Sequence, residues 1–359
     1  MTARVRPLMA LLRRFRVAGA FEPWYLIHHV TRRCPLACHH CFVPTVPFGG
    51  DELSLPEIEK IAASVPRLLA LNVTGGEPFA RSDLAAIVGA WRRHTAVRFV
   101  QVTTAGQDPQ RIAQFAREVL GDHPGLYLSI LVSLDGPAAI HDGVRGREGC
   151  HRAAMETLRA LRALSMRLPG LDPAVNVTIG TQSAGEVAAL YDQLAAELPG
   201  TAIAYTLMRD RPEPPNLAAA EALLDSLGRG RHRRRTAAGG LLAAKDLLAR
   251  EYGLRVARGG CVPGRCNAGR RIGVIWADGS LTACESRTRT FVTLRDFGYD
   301  LPRAWGGQVF EGERRAISRT RCCCTHECFW TANILFSAGH LPGLVGAWLK
   351  SSTTRPPSR

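Results

Sequence analysis

The sequence has no long apolar run free of charge, few aromatic residues, and too little acid to balance its base. Aromatics are 7% of 359 residues and neither an RRM-like nor a KH-like pattern occurs, so the stacking surface of an RNA-binding module is not evident. Residues 331–349 are apolar but carry His340, Pro342 and several glycines, a poor transmembrane span. The N-terminal segment has no secretory h-region, because Arg13, Arg14 and Arg16 interrupt Leu8, Leu11, Leu12 and Phe15. Residues 1–20 are expected to form a basic amphipathic helix packed on the main domain, and the protein is expected to be cytoplasmic. With 46 Lys and Arg against 31 Asp and Glu, the net charge is +15. That excess favours an acidic partner, such as a peptide or a phosphate-bearing molecule, without choosing among them. The length suits one large domain plus a smaller one.

Strand and helix patterns alternate six times between Trp24 and Leu207. Apolar strands are expected at Trp24–Ile27, Leu71–Thr74, Val97–Thr103, Leu126–Leu134, Val175–Ile179 and Ala202–Leu207. Helix signals lie between them, among them a capping pattern at Ser54–Glu57. This alternation implies an α/β fold, a partial (β/α)6 barrel of TIM type, whose chemistry sits at the C-terminal strand ends. It should span residues 21–215, followed by a helical linker over 216–258. There a basic run, Gly228–Arg235, reads as a solvated loop and as a candidate acidic-partner site. A Cys-rich unit over 259–335 and a tail over 336–359 complete the chain. Within the Cys-rich unit, Ile272–Trp276 and Leu281–Ala283 predict a β-hairpin around Asp278-Gly279 with a type I′ turn.

Eleven cysteines are too many for chance and wrongly spaced for disulfides: the count is odd and they crowd into two clusters. Cys34, Cys38 and Cys41 stand at C-x3-C-x2-C straight after the first strand. From one loop they can hold three corners of an iron–sulfur cube and leave the fourth iron open. The second cluster comprises Cys261, Cys266, Cys284, Cys322, Cys323, Cys324 and Cys328. Seven thiols fall short of the eight that two fully Cys-ligated cubes need, so one cluster is expected. Its leading ligands are Cys266, Cys284, Cys324 and Cys328, with Cys261 and Cys322 as substitutes. A second cluster using His326 and a tetrahedral zinc site are the alternatives. Cys150, alone, reads as a core residue.

The cysteine triplet, followed on the second strand by Gly75-Gly76-Glu77-Pro78 and later by Ser133-Leu-Asp135-Gly136 and Arg145-Gly146, resembles the radical S-adenosylmethionine (SAM) superfamily. That resemblance implies a [4Fe–4S] cluster on Cys34, Cys38 and Cys41, with SAM chelating the open iron and yielding a 5′-deoxyadenosyl radical. It implies SAM contacts from Gly75, Gly76, Glu77, Pro78, Ser133, Asp135 and Arg145. The third strand end, Thr103-Thr104-Ala105-Gly106, departs from the family's usual Thr-Asn-Gly, and His40 replaces the usual aromatic before Cys41. Asn176, Thr178, Tyr205, Met208 and Arg209 are candidates for facing the same cavity. Cys266-x-Ala-Gly, Gly279-x4-Cys284 and Leu294-Arg-Asp resemble the SPASM/twitch extension, which implies one auxiliary [4Fe–4S] cluster. Its relatives act on peptides, protein side chains or small molecules, and use an electron donor such as flavodoxin or ferredoxin. A zinc-stabilised basic RNA-binding protein and a non-catalytic SAM-binding scaffold are the rival readings; nucleic acid is disfavoured as a partner.

Overall fold

A computed structural model describes residues 23–209, 214–229, 237–262, 264–322 and 324–352. The expected N-terminal helix and most of the basic run Gly228–Arg235 lie outside the described residues, as does Cys323. Six parallel strands form the first part: β1 (Tyr25–His29), β2 (Ala70–Thr74), β3 (Phe99–Thr104), β4 (Tyr127–Ser133), β5 (Leu171–Ile179) and β6 (Ala202–Leu207). They are side by side in chain order, the sheet of a partial TIM-type barrel. Strands covered on both faces need near-continuous apolar or buried residues, and β1 has all five of its side chains buried.

The crossovers are α1 (Leu55–Ala63), α2 (Leu84–His94), α3 (Pro109–Asp122), α4 (Ala138–Arg145), α5 (Cys150–Ser165) and α6 (Ala184–Glu197). Helix α1 begins as its sequence predicts: the Glu57 carboxylate accepts the Ser54 backbone N–H and hydroxyl, each at 2.8 Å. It stops at Ala63, with Ser64 at its C-terminal end. Trp91 of α2 is fully buried and donates to Nδ1 of His28 at 3.3 Å. Burial holds that imidazole down at about 3.

Helices α7 (Leu217–Arg229) and α8 (Ala237–Ala257) lead to β7 (Ile272–Ile275), β8 (Ser280–Thr282) and β9 (Phe291–Thr293). The hairpin joins the main sheet: β7 pairs in parallel with β1, Tyr25 opposite Ile272 and His28 opposite Ile275. The sheet thus has nine strands in the order β6-β5-β4-β3-β2-β1-β7-β8-β9. The hairpin turn is not type I′. Asp278 does not have positive φ; only Gly279 does, at 86°, with Gly279 N–H bonded to Trp276 O and Trp276 N–H to Ser280 O. That is the three-residue loop in which a left-handed glycine closes a type I turn. Four further helices follow: α9 (Leu301–Gly306), α10 (Gln308–Arg319), α11 (Glu327–Phe336) and α12 (Leu341–Ser352). No described helix is long and apolar enough to cross a membrane.

Candidate iron–sulfur and SAM site

Because the six strands are parallel, His29, Thr74, Thr104, Ser133, Ile179 and Leu207 end on one rim, and the cysteine loop leaves from the first of them. The loop is pinned on three sides. Its Thr31 hydroxyl and Arg32 N–H both donate to Glu52 Oε1, at 2.6 and 2.9 Å. Gly76 N–H donates to Thr31 O at 2.7 Å and Glu77 N–H to Arg33 O at 2.8 Å. A Cβ on Gly75 would lie 2.3 Å from Thr31 O, and one on Gly76 2.4 Å from Arg33 O. The glycine pair is therefore demanded by the loop's own backbone. On the far side His39 N–H donates to Val144 O at 2.9 Å, and Gly146, at φ 70°, backs against Ala37. Held this way, Cys34 is exposed while Cys38 and Cys41 are half-buried. The three sulfurs act on one another electrostatically, and burial pushes Cys34 and Cys38 up.

The charged residues expected to touch a ligand are tied to the protein. Glu77 is buried; its carboxylate accepts the Thr104 hydroxyl at 2.8 Å, Ala105 N–H at 2.7 Å and Phe79 N–H at 3.2 Å. Burial pushes this carboxyl up against those donors. Asp135 is 0% exposed; Oδ1 accepts Thr178 N–H at 2.9 Å and Oδ2 the Arg145 Nε–H at 2.7 Å. Burial raises its pKa, but Arg145 and His141 outweigh burial and hold it low. Arg145 also reaches Cys38 Sγ at 3.7 Å through Nη1, placing a fixed cation beside one thiol of the triplet. Ser133, Asn176 and Thr178 sit together, with Ser133 opposite Asn176 in the sheet.

In the C-terminal part, Cys322 interacts with Cys266 and Cys324, and Cys284, raised mainly by burial, feels Cys324 as well. These interactions link the four thiols in one chain. The Cys328 sulfur lies 3.8 Å from Glu327 Oε1 and 4.0 Å from Asn72 Nδ2 of β2. Burial pushes its thiol far up. Cys261 is exposed, and Cys150 is fully buried at the start of α5. Among the described residues, His326, Glu327 and Cys328 bring ligand atoms within 4.8 Å of one another. Glu327 is already engaged, accepting the Thr206 hydroxyl at 3.0 Å and Arg209 Nη1 at 2.8 Å.

The family model of the radical SAM superfamily matches residues 29–179, from the end of β1 to the end of β5. These residues are a radical SAM domain. Pre-heme d1 synthase of Dinoroseobacter shibae is 28% identical over 162 residues, 43% of this chain and 37% of that one. The PqqA peptide cyclase of Rhodopseudomonas palustris is 31% identical over 153 residues, 41% of this chain and 38% of that one. The matched region thus spans about two fifths of those curated relatives. Streptococcus suis SuiB bound to its precursor peptide SuiA shares the fold, with a TM-score of 0.59 at 14% identity over 86% of this chain and 70% of that one. The anSMEcpe protein with bound AdoMet and Kp18Cys peptide gives 0.56 at 13% identity, covering 92% and 97%.

A radical SAM domain implies a [4Fe–4S] cluster and SAM. The residues present fit both groups: three soft thiols on one short loop, Cys34 exposed, a cation at Cys38, and backbone instead of side chains on the Gly75–Gly76 flank. The sequence pattern missed two residues, His29 and Glu285, that the fold brings together with His326. The three form a buried imidazole–carboxylate–imidazole row. The positions of Glu285 straight after Cys284 and of His29 at the end of β1 were the only signal.

Proposed function

We propose that the chain is a radical SAM enzyme acting on a peptide, with its SAM-binding [4Fe–4S] cluster on Cys34, Cys38 and Cys41 and one auxiliary [4Fe–4S] cluster on Cys266, Cys284, Cys322 and Cys324. The observation that carries this is the triplet loop itself, three thiols on one loop clamped between Gly75–Gly76 and residues 144–146 inside a radical SAM domain. When bound, such a cluster with SAM supplies one-electron cleavage of a sulfonium and abstraction of a substrate hydrogen. The chain's part is to place groups. Glu77 locks the ends of β2 and β3 into one rim. Arg145 offsets thiolate charge at Cys38, and Asp135 holds Arg145 there. The backbone of residues 75–78 and the rim residues Ser133, Asn176 and Thr178 line the space for SAM. Grouping of Cys322 with Cys266 and Cys324 supports it, in place of Cys328, as an auxiliary ligand.

The peptide reading draws on the printed names of the PqqA peptide cyclase and of the peptide-bound SuiB and anSMEcpe structures, together with the +15 charge. A flavodoxin or ferredoxin in the cytoplasm would be the reductant. Anaerobic reconstitution tests the assignment. The protein should turn brown, bind about eight irons, and release 5′-deoxyadenosine from SAM under reductant. Replacing Cys34, Cys38 and Cys41 with alanine should abolish that release, whereas Cys284→Ala should spare it without substrate and stop product. Colourless, zinc-loaded protein that shifts RNA would refute the assignment.

A further inference from the structure

One buried row of side chains joins the two cysteine centres. His29 ends β1, at the root of the triplet loop, and its Nε2 lies 2.7 Å from Glu285 Oε1. The other oxygen of Glu285 lies 2.5 Å from Nε2 of His326. Glu285 directly follows Cys284, and His326 sits between Cys324 and Cys328. The three side chains are 3%, 8% and 1% exposed. Trp276 stacks on His29 with ring centroids 4.3 Å apart, and Phe329 packs edge-on against His326 at 4.5 Å. A metal ion bridging a carboxylate and an imidazole needs about 3.3 Å between the two donors at tetrahedral geometry, so these contacts are direct. Packing alone does not call for such a row. A carboxylate out of water costs several kcal/mol unless fully paired, and apolar residues would fill the space at less cost.

We propose that Glu285, held by His29 and His326, is a positioning residue that fixes the C-terminal thiols relative to the triplet loop and sets the reduction potential of the centre they hold. This rests on the auxiliary-cluster reading above. Reduction adds negative charge to a cluster, and a fixed anion beside it in a low-dielectric interior opposes that step. The anion should therefore lower the C-terminal potential and leave the N-terminal one in place, because Glu285 directly follows Cys284 whereas its link to the triplet loop runs through His29.

The test is a redox titration of the anaerobically reconstituted full chain, followed by EPR, with iron counted in every sample. In Glu285→Gln the reduced-to-oxidised ratio of the C-terminal centre at a fixed potential should rise at least tenfold, about 59 mV for one electron. Glu285→Asp should return it toward wild type, and the N-terminal midpoint should not move. An unchanged C-terminal midpoint, or an equal shift of both centres, overturns the proposal. Should Glu285→Gln lose the C-terminal iron, His29→Gln decides: its C-terminal midpoint must move, and a wild-type value overturns the proposal. Wild-type protein with iron for a single cluster would instead refute the auxiliary-cluster reading on which the proposal stands.

Discussion

Replacing Gly76 by alanine tests whether the triplet loop is held by backbone contact or by its future ligands. The added Cβ would stand 2.4 Å from Arg33 O, 2.6 Å from Arg32 O and 2.7 Å from Arg33 C, all main-chain atoms that cannot rotate aside. Relief requires β2 and the loop to separate by about 1 Å, since unstrained contacts begin near 3.5 Å. Overpacking of this kind costs about 1–3 kcal/mol. Separation also sacrifices the bonds Gly76 N–H to Thr31 O and Glu77 N–H to Arg33 O, at 2.7 and 2.8 Å. At about 1 kcal/mol for each bond, the total loss is roughly 3–5 kcal/mol. Gly75→Ala should cost more, because φ at Gly75 is 146° and its Cβ would lie 2.3 Å from Thr31 O. Gly312→Ala is the control: it lies in α10 with nothing within 4 Å of its Cβ, and should gain about 0.5–1 kcal/mol. Urea unfolding of the anaerobic apoprotein measures all three, and iron content after reconstitution measures the loop. If Gly76→Ala unfolds within 1 kcal/mol of wild type and takes up full iron, the glycines are not there for the loop and the argument fails.

Three other outcomes check separate parts of the structure. Cys322→Ser should halve the iron retained after reconstitution, while Cys328→Ser, whose thiol lies beside Glu327 and Asn72, should retain nearly all of it; the reverse order would restore Cys328 as the ligand. Arg145→Met removes the guanidinium paired with Asp135, a carboxylate at 0% exposure, so the apoprotein should lose about 3–5 kcal/mol. An unfolding midpoint equal to wild type would show that the pair contributes nothing. Burial raises Glu57, but Tyr299, Ser54 and Arg295 outweigh it and hold its pKa at about 2 against an ordinary 4.5. Its stabilisation is complete above the unfolded value and is lost as pH falls from about 5 toward 2, worth about 3 kcal/mol at most. Glu57→Gln should differ from wild type by that much at pH 6 and by little at pH 2; a difference independent of pH refutes the network.

Local pattern carried what is locally decided. The six βα alternations, the capping of α1 by Ser54 and Glu57 and the triplet loop were all legible, because each rests on residues a few positions apart. Helix α4 was not anticipated: eight residues with Gly143 near the end and a proline before Ala138 give a weak periodic signal, and tertiary contacts complete it. The turn at Asp278-Gly279 depended on φ at one residue, which the dipeptide alone does not fix. The parallel pairing of β7 with β1 joins segments from opposite ends of the chain, and no periodicity encodes a partner so remote. The site shows the same division. Cys34, Cys38 and Cys41 announce themselves by spacing. Thr104 was noted only as a departure from a family pattern, yet it is the hydroxyl that Glu77 binds. Glu285 looked like any acid after a cysteine until the fold buried it between two imidazoles.

The position of β1 ties the two cysteine-bearing segments to one frame. Strand β1 lies between β2 and β7, so its backbone is paired along both edges. From its C-terminal end the triplet loop emerges, with β2 supplying Gly75 and Gly76 on one side. On the other side β7 and β8 lead into Cys284 and Glu285, and Glu285 returns to β1 by binding His29. A shift of β7 along β1 would carry Glu285 away from His29 and misplace Cys284 in the same movement. Register in a parallel pair with buried faces is strongly fixed, since sliding by one residue turns every side chain to the wrong side. The separation between the two cysteine-bearing segments is thus set by a strand pairing, which is stiffer than a flexible linker.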